Sequence, residues 1–212
     1  MFQKFHNNVK LFYYICSMSY KKIENTLNQY EDWILTSNSD DGRKNSQDDE
    51  ESICEKIKEI VGVKKNKTHN REKYDLYLLT GEDLKIVEPD NFTNTISFTK
   101  LAKMLNLKGN NNKTICKSYL KQKSLGQLKL VEDYQIVFLC KKTKKFKICS
   151  LTELPDNCIV VNPSNCIQTK IPDSTVLRND DEKFNLVHGL FIEYINKRIL
   201  TPAKEWELII NG

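Results

Sequence analysis

Residues 97–149, SFTKLAKMLNLKGNNNKTICKSYLKQKSLGQLKLVEDYQIVFLCKKTKKFKIC, decide how this chain reads. Phe98, Leu101, Ala102 and Leu105 share one face of a short helix that Ser97 or Thr99 can open with a side-chain oxygen. The run KGNNNK at 108–113 then supplies Gly109 and three Asn, residues that tolerate the left-handed backbone of a tight turn between helices. A second helix follows over 114–125, with Ile115, Tyr119 and Leu120 expected inward and Lys113, Lys117, Lys121 and Lys123 outward. Beyond it, YQIVFLC (134–140) and FKIC (146–149) read as strands of a hairpin tipped by Lys141, Lys142, Thr143, Lys144 and Lys145. Helix, turn, basic helix and basic hairpin is the order of a winged helix-turn-helix. The expected fold is therefore α+β, with a winged-helix-like core over about residues 72–176.

The charge of this stretch sets it apart from the rest of the chain. The whole sequence of 212 residues carries a formal net charge of +5, yet residues 97–149 hold thirteen Lys and no Arg against only Glu132 and Asp133, a net +11. The other 159 residues hold 20 basic and 26 acidic side chains, a net −6. Gathered positive charge attracts polyanions, and each phosphate neutralised releases condensed counterions. A helix of this size fills the major groove of duplex DNA, and a basic hairpin beside it reaches a phosphate row or the minor groove. Arg, the usual reader of guanine, is absent, so the reading is shape-led or directed to A·T-rich sites, with Asn111 and Asn112, and also Asn110 and Gln122, as base-edge candidates.

Working outward, Tyr20, Ile23, Leu27, Tyr30 and Ile34 recur at helical spacing and predict an amphipathic helix over 20–35, preceded by an extension from residue 1. Residues 36–52, TSNSDDGRKNSQDDEES, contain no apolar side chain and read as a disordered acidic linker. An α+β domain over 53–212 follows. It opens with a short helix that Ser52 caps, carrying Ile53, Ile57 and Ile60 and stopping at Gly62. YDLYLL (74–79) and LKIV (84–87) then flank TGED as a hairpin. Pro155, Pro163 and Pro172 mark short edge strands and turns, and Asn179–Glu182 begins a C-terminal helix that turns Phe184, Val187, Phe191, Tyr194 and Ile195 to a core. Pro202 begins a last short element containing Trp206.

The stretch 96–138 resembles the N-terminal domain of phage and large-DNA-virus antirepressors of the AntA and BRO type. The matching residues are Leu101 and Leu105 in the leucine-rich helix, Lys117 and Leu120 in the basic helix, and Glu132-Asp133-Tyr134 entering a strand. A tryptophan that the pattern places near Met104 is missing. The resemblance implies DNA-linked regulation and covers about a fifth of the chain.

Other chemistries are poorly provided for. The seven Cys show no Cys-x-x-Cys pair and no His at ligand spacing, which argues against a disulfide framework or a zinc site and for reduced thiols in a nuclear or other intracellular compartment rather than a secreted protein. No stretch reaches the roughly 18 apolar residues of a membrane span, and no Gly-rich phosphate loop is present. Asp75, Asp83 and Lys85 form the best catalytic set, that of a metal-dependent nuclease, although a wet turn also explains them. His188 precedes Gly189 in an apolar helix and reads as structural. The expectation is a non-catalytic DNA-binding protein of a transcriptional or chromosome-associated complex, with no cofactor, no metal, no membrane and no small-molecule substrate. Lys113, Lys117, Lys121, Lys123, Lys141, Lys142, Lys144, Lys145, Asn111 and Asn112 carry the binding, and the N-terminal helix meets a protein partner. The alternative is an assembly subunit that docks an acidic protein on the same lysines.

Overall fold

The structure is a computed structural model that describes residues 19–35, 42–62 and 75–203. It is α+β and divides into two compact units, the first from Met1–Pro89 with Gln135–Cys149 and the second from Asp90–Tyr134 with Ser150–Gly212.

In the first unit, helix α1 spans Tyr20–Gln29, and the Ser19 side chain caps it by accepting from the Lys22 amide. It ends at Gln29, short of the expected residue 35, and Trp33 then folds back to donate from Nε1 to the Leu27 carbonyl at 3.2 Å. Helix α2 spans Gly42–Val61 and stops where Gly62 turns left-handed at φ 73°. It buries Ile53, Cys54, Ile57 and Val61. The stretch read as a linker to residue 52 is thus helical from Gly42 onward, and Asp49 within it is buried. Absence of apolar side chains is not absence of structure. Arg, Lys, Gln and Glu are good helix formers, and an apolar run that begins at Ile53 can extend its helix back through them. Residues 36–41 lie outside the described part.

Strands β1 (Glu82–Val87), β3 (Gln135–Cys140) and β4 (Phe146–Ser150) form a sheet in the order β1-β3-β4, with β1 and β3 parallel. The central strand β3 buries Ile136, Val137, Phe138, Leu139 and Cys140 in succession, the continuous pattern of a strand covered on both faces. The hairpin β3–β4 therefore forms as expected but does not stand out as a wing. Of the expected strand over 74–79, Leu76 bridges Glu82 antiparallel before the chain turns.

That turn is built around a buried carboxylate. The amides of Leu78, Leu79, Thr80 and Gly81 donate to Glu82 at 2.6, 3.2, 2.9 and 3.1 Å, and the Tyr20 hydroxyl of α1 donates at 2.6 Å. Farther along α1, Glu24 accepts from the Ile148 amide at 2.7 Å, while Asn28 accepts from the Phe146 amide at 2.6 Å and donates to its carbonyl at 3.0 Å. Tyr20, Glu24 and Asn28 recur every four residues, so one stripe of α1 serves the Glu82 turn and the outer edge of β4 together. Ile23 and Leu27 beside that stripe are fully buried. The apolar face expected to meet a protein partner is occupied by the helix's own unit.

In the second unit, strand β2 (Thr93–Ile96) pairs antiparallel with β6 (Cys166–Thr169), which pairs antiparallel with β5 (Ile159–Asn162). Helix α3 spans Phe98–Met104, capped by Ser97, and helix α4 spans Asn112–Ser124. Helix α5 spans Asp180–Ile195 with Asn179 and Glu182 as a reciprocal capping box, and it widens into a π-helical turn over Asn196–Leu200. Phe98 stacks on Phe191 and Tyr194 of α5, with ring centroids 5.2 and 4.6 Å apart. Arg178 donates to the carbonyls of Thr152 and Leu154 at 2.7 and 2.8 Å and pairs with Asp156, pinning the two 3₁₀ turns that precede β5. The expected element at Trp206 lies outside the described residues.

Replacing Glu82 by Ala leaves four amides without their acceptor, and buried donors that lose a partner cost about 1–3 kcal/mol each. Urea denaturation read by Trp33 fluorescence in a Trp206→Phe background is expected to show the first unit destabilised by at least about 3 kcal/mol. A loss below 1 kcal/mol would mean that water replaces the carboxylate, and that the turn holds without it.

Candidate nucleic-acid interface

The turn between α3 and α4 depends on Gly109. Its φ is 146°, and a Cβ there would stand 2.6 Å from the Thr114 hydroxyl and 2.7 Å from the Ile115 nitrogen. The close approach lets the loop amides of Asn110 and Asn111 donate to Thr114 Oγ1 at 3.2 and 3.3 Å, while Asn111 Oδ1 accepts from the Thr114 amide at 3.0 Å. The α4 N-terminus is thereby closed by its own capping box.

From this start α4 runs with one face fastened down. Ile115 and Tyr119 are buried, Tyr119 packs on Phe191 at 5.1 Å, and its hydroxyl meets His188 Nε2 at 3.1 Å. His188 stacks between Phe184 and Tyr119. Burial, with the Lys123 charge as a second cause, holds its pKa below the ordinary 6.5.

The opposite face carries Lys113, Lys117 and Lys121, four residues apart and all exposed, and α4 contains no acidic residue. Among the described residues no ion pair involves any of the three. Lys123 is also exposed but lies on the flank, with Nζ 5.8 Å from the centre of the Tyr119 ring. Leu120 departs from expectation. It is 64% exposed and lies among the lysines, because it follows the inward Tyr119 by about 100° of helix turn.

The asparagines also take different places. Asn111 is the helix cap, its amide nitrogen donating to Asn110 Oδ1 at 3.2 Å, and Asn112 is half-buried in the first turn of α4. Asn111 is engaged within the unit rather than offered to a base edge. Their residue type, read from sequence as polar contact, is equally that of a helix cap.

The hairpin lysines belong to the other unit. Lys142 and Lys145 are exposed, Lys141 and Lys144 are half-buried, and Lys144 occupies a left-handed turn position at φ 56°. Lys145 donates to the Asn28 carbonyl in the last turn of α1 at 3.0 Å, a structural task at the negative end of that helix. The +11 window is thus divided between the units, and β2, the strand before the helix pair, joins β6 instead of the hairpin. Helix pair and hairpin do not form one winged module within a single unit.

The acidic set of the first unit is partly drawn together. Lys85 Nζ stands 3.8 Å from Asp75 Oδ2, which accepts from the Leu84 amide at 2.9 Å. Asp83 is buried, and Glu50 of α2, which sequence reasoning missed, hydrogen-bonds Asp75. A hydrogen bond between two carboxyls needs a proton. Burial first and the Asp75 charge second push the Glu50 carboxyl up to about 8, against the pull of Lys85. Among the described residues no group of three His, Cys, Asp or Glu side chains is placed to hold a metal ion. No helix of the described residues is long and apolar enough to cross a membrane, and the six described cysteines are free thiols.

Comparison of the chain with family models, with curated proteins and with solved structures finds no match.

Two predictions follow from these geometries. Gly109→Ala forces a Cβ into the α4 cap and is expected to cost about 1–3 kcal/mol, checked by thermal denaturation; an unchanged midpoint would show that the loop relaxes freely. Because the Glu50 pKa is raised from an ordinary 4.5 to about 8, the stability it contributes is full below about 4.5 and lost as pH climbs through about 8. Glu50→Gln keeps a neutral donor and is expected to flatten the fall in thermal midpoint between pH 6 and pH 9. Parallel curves for the two proteins would contradict the shared proton.

Proposed function

We propose that the protein binds duplex DNA through helix α4 and acts, without catalysis, within a transcriptional or chromosome-associated complex in the compartment that holds that DNA. The observation that supports this reading is the lysine ladder at 113, 117 and 121. Like charges at i,i+4 destabilise a helix by about 0.2–0.5 kcal/mol per pair, and no acid on α4 offsets them. A helix whose inner face is locked by Ile115 and Tyr119 can carry that cost, and a row of phosphates removes it. A side-chain charge every four residues advances about 6 Å along the helix, close to the spacing of successive phosphates. The exposed Lys123 and Lys108 extend the basic field around α4. The resemblance to antirepressor N-terminal domains over residues 96–138 implies the same class of target.

The test is a fluorescence titration of a 20-bp duplex across a range of salt, with Mg²⁺ and chelator arms. Changing Lys113, Lys117 and Lys121 together to Gln is expected to leave the fold intact and to reduce the slope of log affinity against log salt by about 2–3. Binding unaffected by the triple change would place the interface elsewhere. Cleavage that requires Mg²⁺ and vanishes in Asp83→Ala would replace the reading with a nuclease, and absence of binding with retention on an acidic polypeptide would replace it with an assembly subunit.

A further inference from the structure

The most exposed apolar side chain on the basic face has a chemical meaning of its own. Lys113, Lys117, Leu120, Lys121 and Ser124 follow the spacing of one helical face, and all are exposed. Leu120 sits in the middle of the row, between the turn of Lys117 and the turn of Ser124. When a helix enters a major groove, long basic side chains on the face reach sideways to the phosphates, while a short central side chain points at the base edges. Leucine has neither donor nor acceptor. The single apolar group displayed on those edges is the thymine C5-methyl.

We infer that Leu120 reads thymine, packing its isobutyl group on the C5-methyl of a major-groove A·T pair, and so directs α4 to A·T-containing duplexes. The inference rests on the DNA-binding reading and adds a base preference to it. Exposed leucines elsewhere in the chain do not share the setting. Leu125 lies beyond the end of α4, and Leu177 lies in the segment before α5 beside Val176 and Arg178. Among the exposed leucines of the described residues, only Leu120 lies within a helix face that carries lysines in no ion pair there, which makes a purely apolar partner unsuitable and a polyanion with an apolar point suitable. Asn111, which could have read adenine, is engaged in the cap, and Asn112 is half-buried. The apolar contact is then the base-reading device that remains on this face.

The experiment compares two 20-bp duplexes of the same alternating adenine–thymine sequence, one with thymine and one with uracil throughout, which differ only in the methyl groups. Full-length protein is titrated with each, alongside a G·C duplex and a polyglutamate peptide. Burying one methyl is worth roughly a fourfold change in affinity. The thymine duplex is therefore expected to bind at least about fourfold tighter than the uracil duplex, and Leu120→Ala and Leu120→Gln are expected to bring the two to the same affinity with an unchanged salt slope. Circular dichroism of both variants checks that α4 is retained. Steep salt-dependent binding that is equal for thymine and uracil would overturn the role of Leu120 while leaving DNA binding intact. Failure to bind any duplex would overturn both, and tighter binding of polyglutamate than of duplex would assign the leucine to an acidic protein partner instead.

Discussion

A buried carboxylate with no cation hydrogen-bonded to it among the described residues organises the first unit. Removing an ionised carboxyl from solvent is costly unless every lone pair finds a donor. At Glu82 the donors are four successive backbone amides, the Thr80 hydroxyl and the Tyr20 phenol. Satisfying the charge dictates the path of the chain. Residues 78–81 must wrap their N–H groups inward, which ends the preceding extended segment and starts β1 at Glu82. It also brings α1 into place, because the phenol that completes the shell belongs to that helix. Burial and the neighbouring carboxylate push the Tyr20 hydroxyl pKa upward, so it remains a donor.

The same helix solves a second problem. The open edge of a sheet invites further strands, and β4 is such an edge in the order β1-β3-β4. Glu24 and Asn28 take the hydrogen bonds that another strand would have taken, at Ile148 and Phe146. Trp33 then packs on Phe146 with ring centroids 4.7 Å apart and covers the junction with apolar surface. Order in the first unit is thus transmitted from a turn to a helix and from the helix to a sheet edge. Each step consists of polar groups that would be costly to leave unpaired.

The second unit has a different economy, in which one helix is divided between attachment and display. Inward, α4 is held by stacked rings from α5 and by a cap that only a glycine at 109 permits. Outward, it presents cations with no acid on the helix to balance them. Rigid support beneath an unbalanced charge is what a binding surface requires, since side chains held in place lose less freedom when a partner arrives.

How much was legible follows from the range of the forces concerned. Periodicity, caps and charge are local quantities, so the residues alone were enough for the start of α1, for α3, α4 and α5, for a cap at Ser97 or Thr99, a helix start over 179–182 and a stop at Gly62, and for the concentration of lysine in residues 97–149. Pairing is not local. Val87 and Cys140 are partners across fifty-three positions, and only the assembled sheet decided that IVFLC is a central strand in the first unit rather than one side of a wing. Local patterns were also ambiguous where one residue type serves two ends. Asn111 has the chemistry of a base reader and of a cap, and Leu120 is apolar whether it faces a core or a partner. Tertiary structure resolved both, because the direction of a side chain depends on which neighbouring face the helix packs against, and that face is contributed by α5, more than sixty residues away.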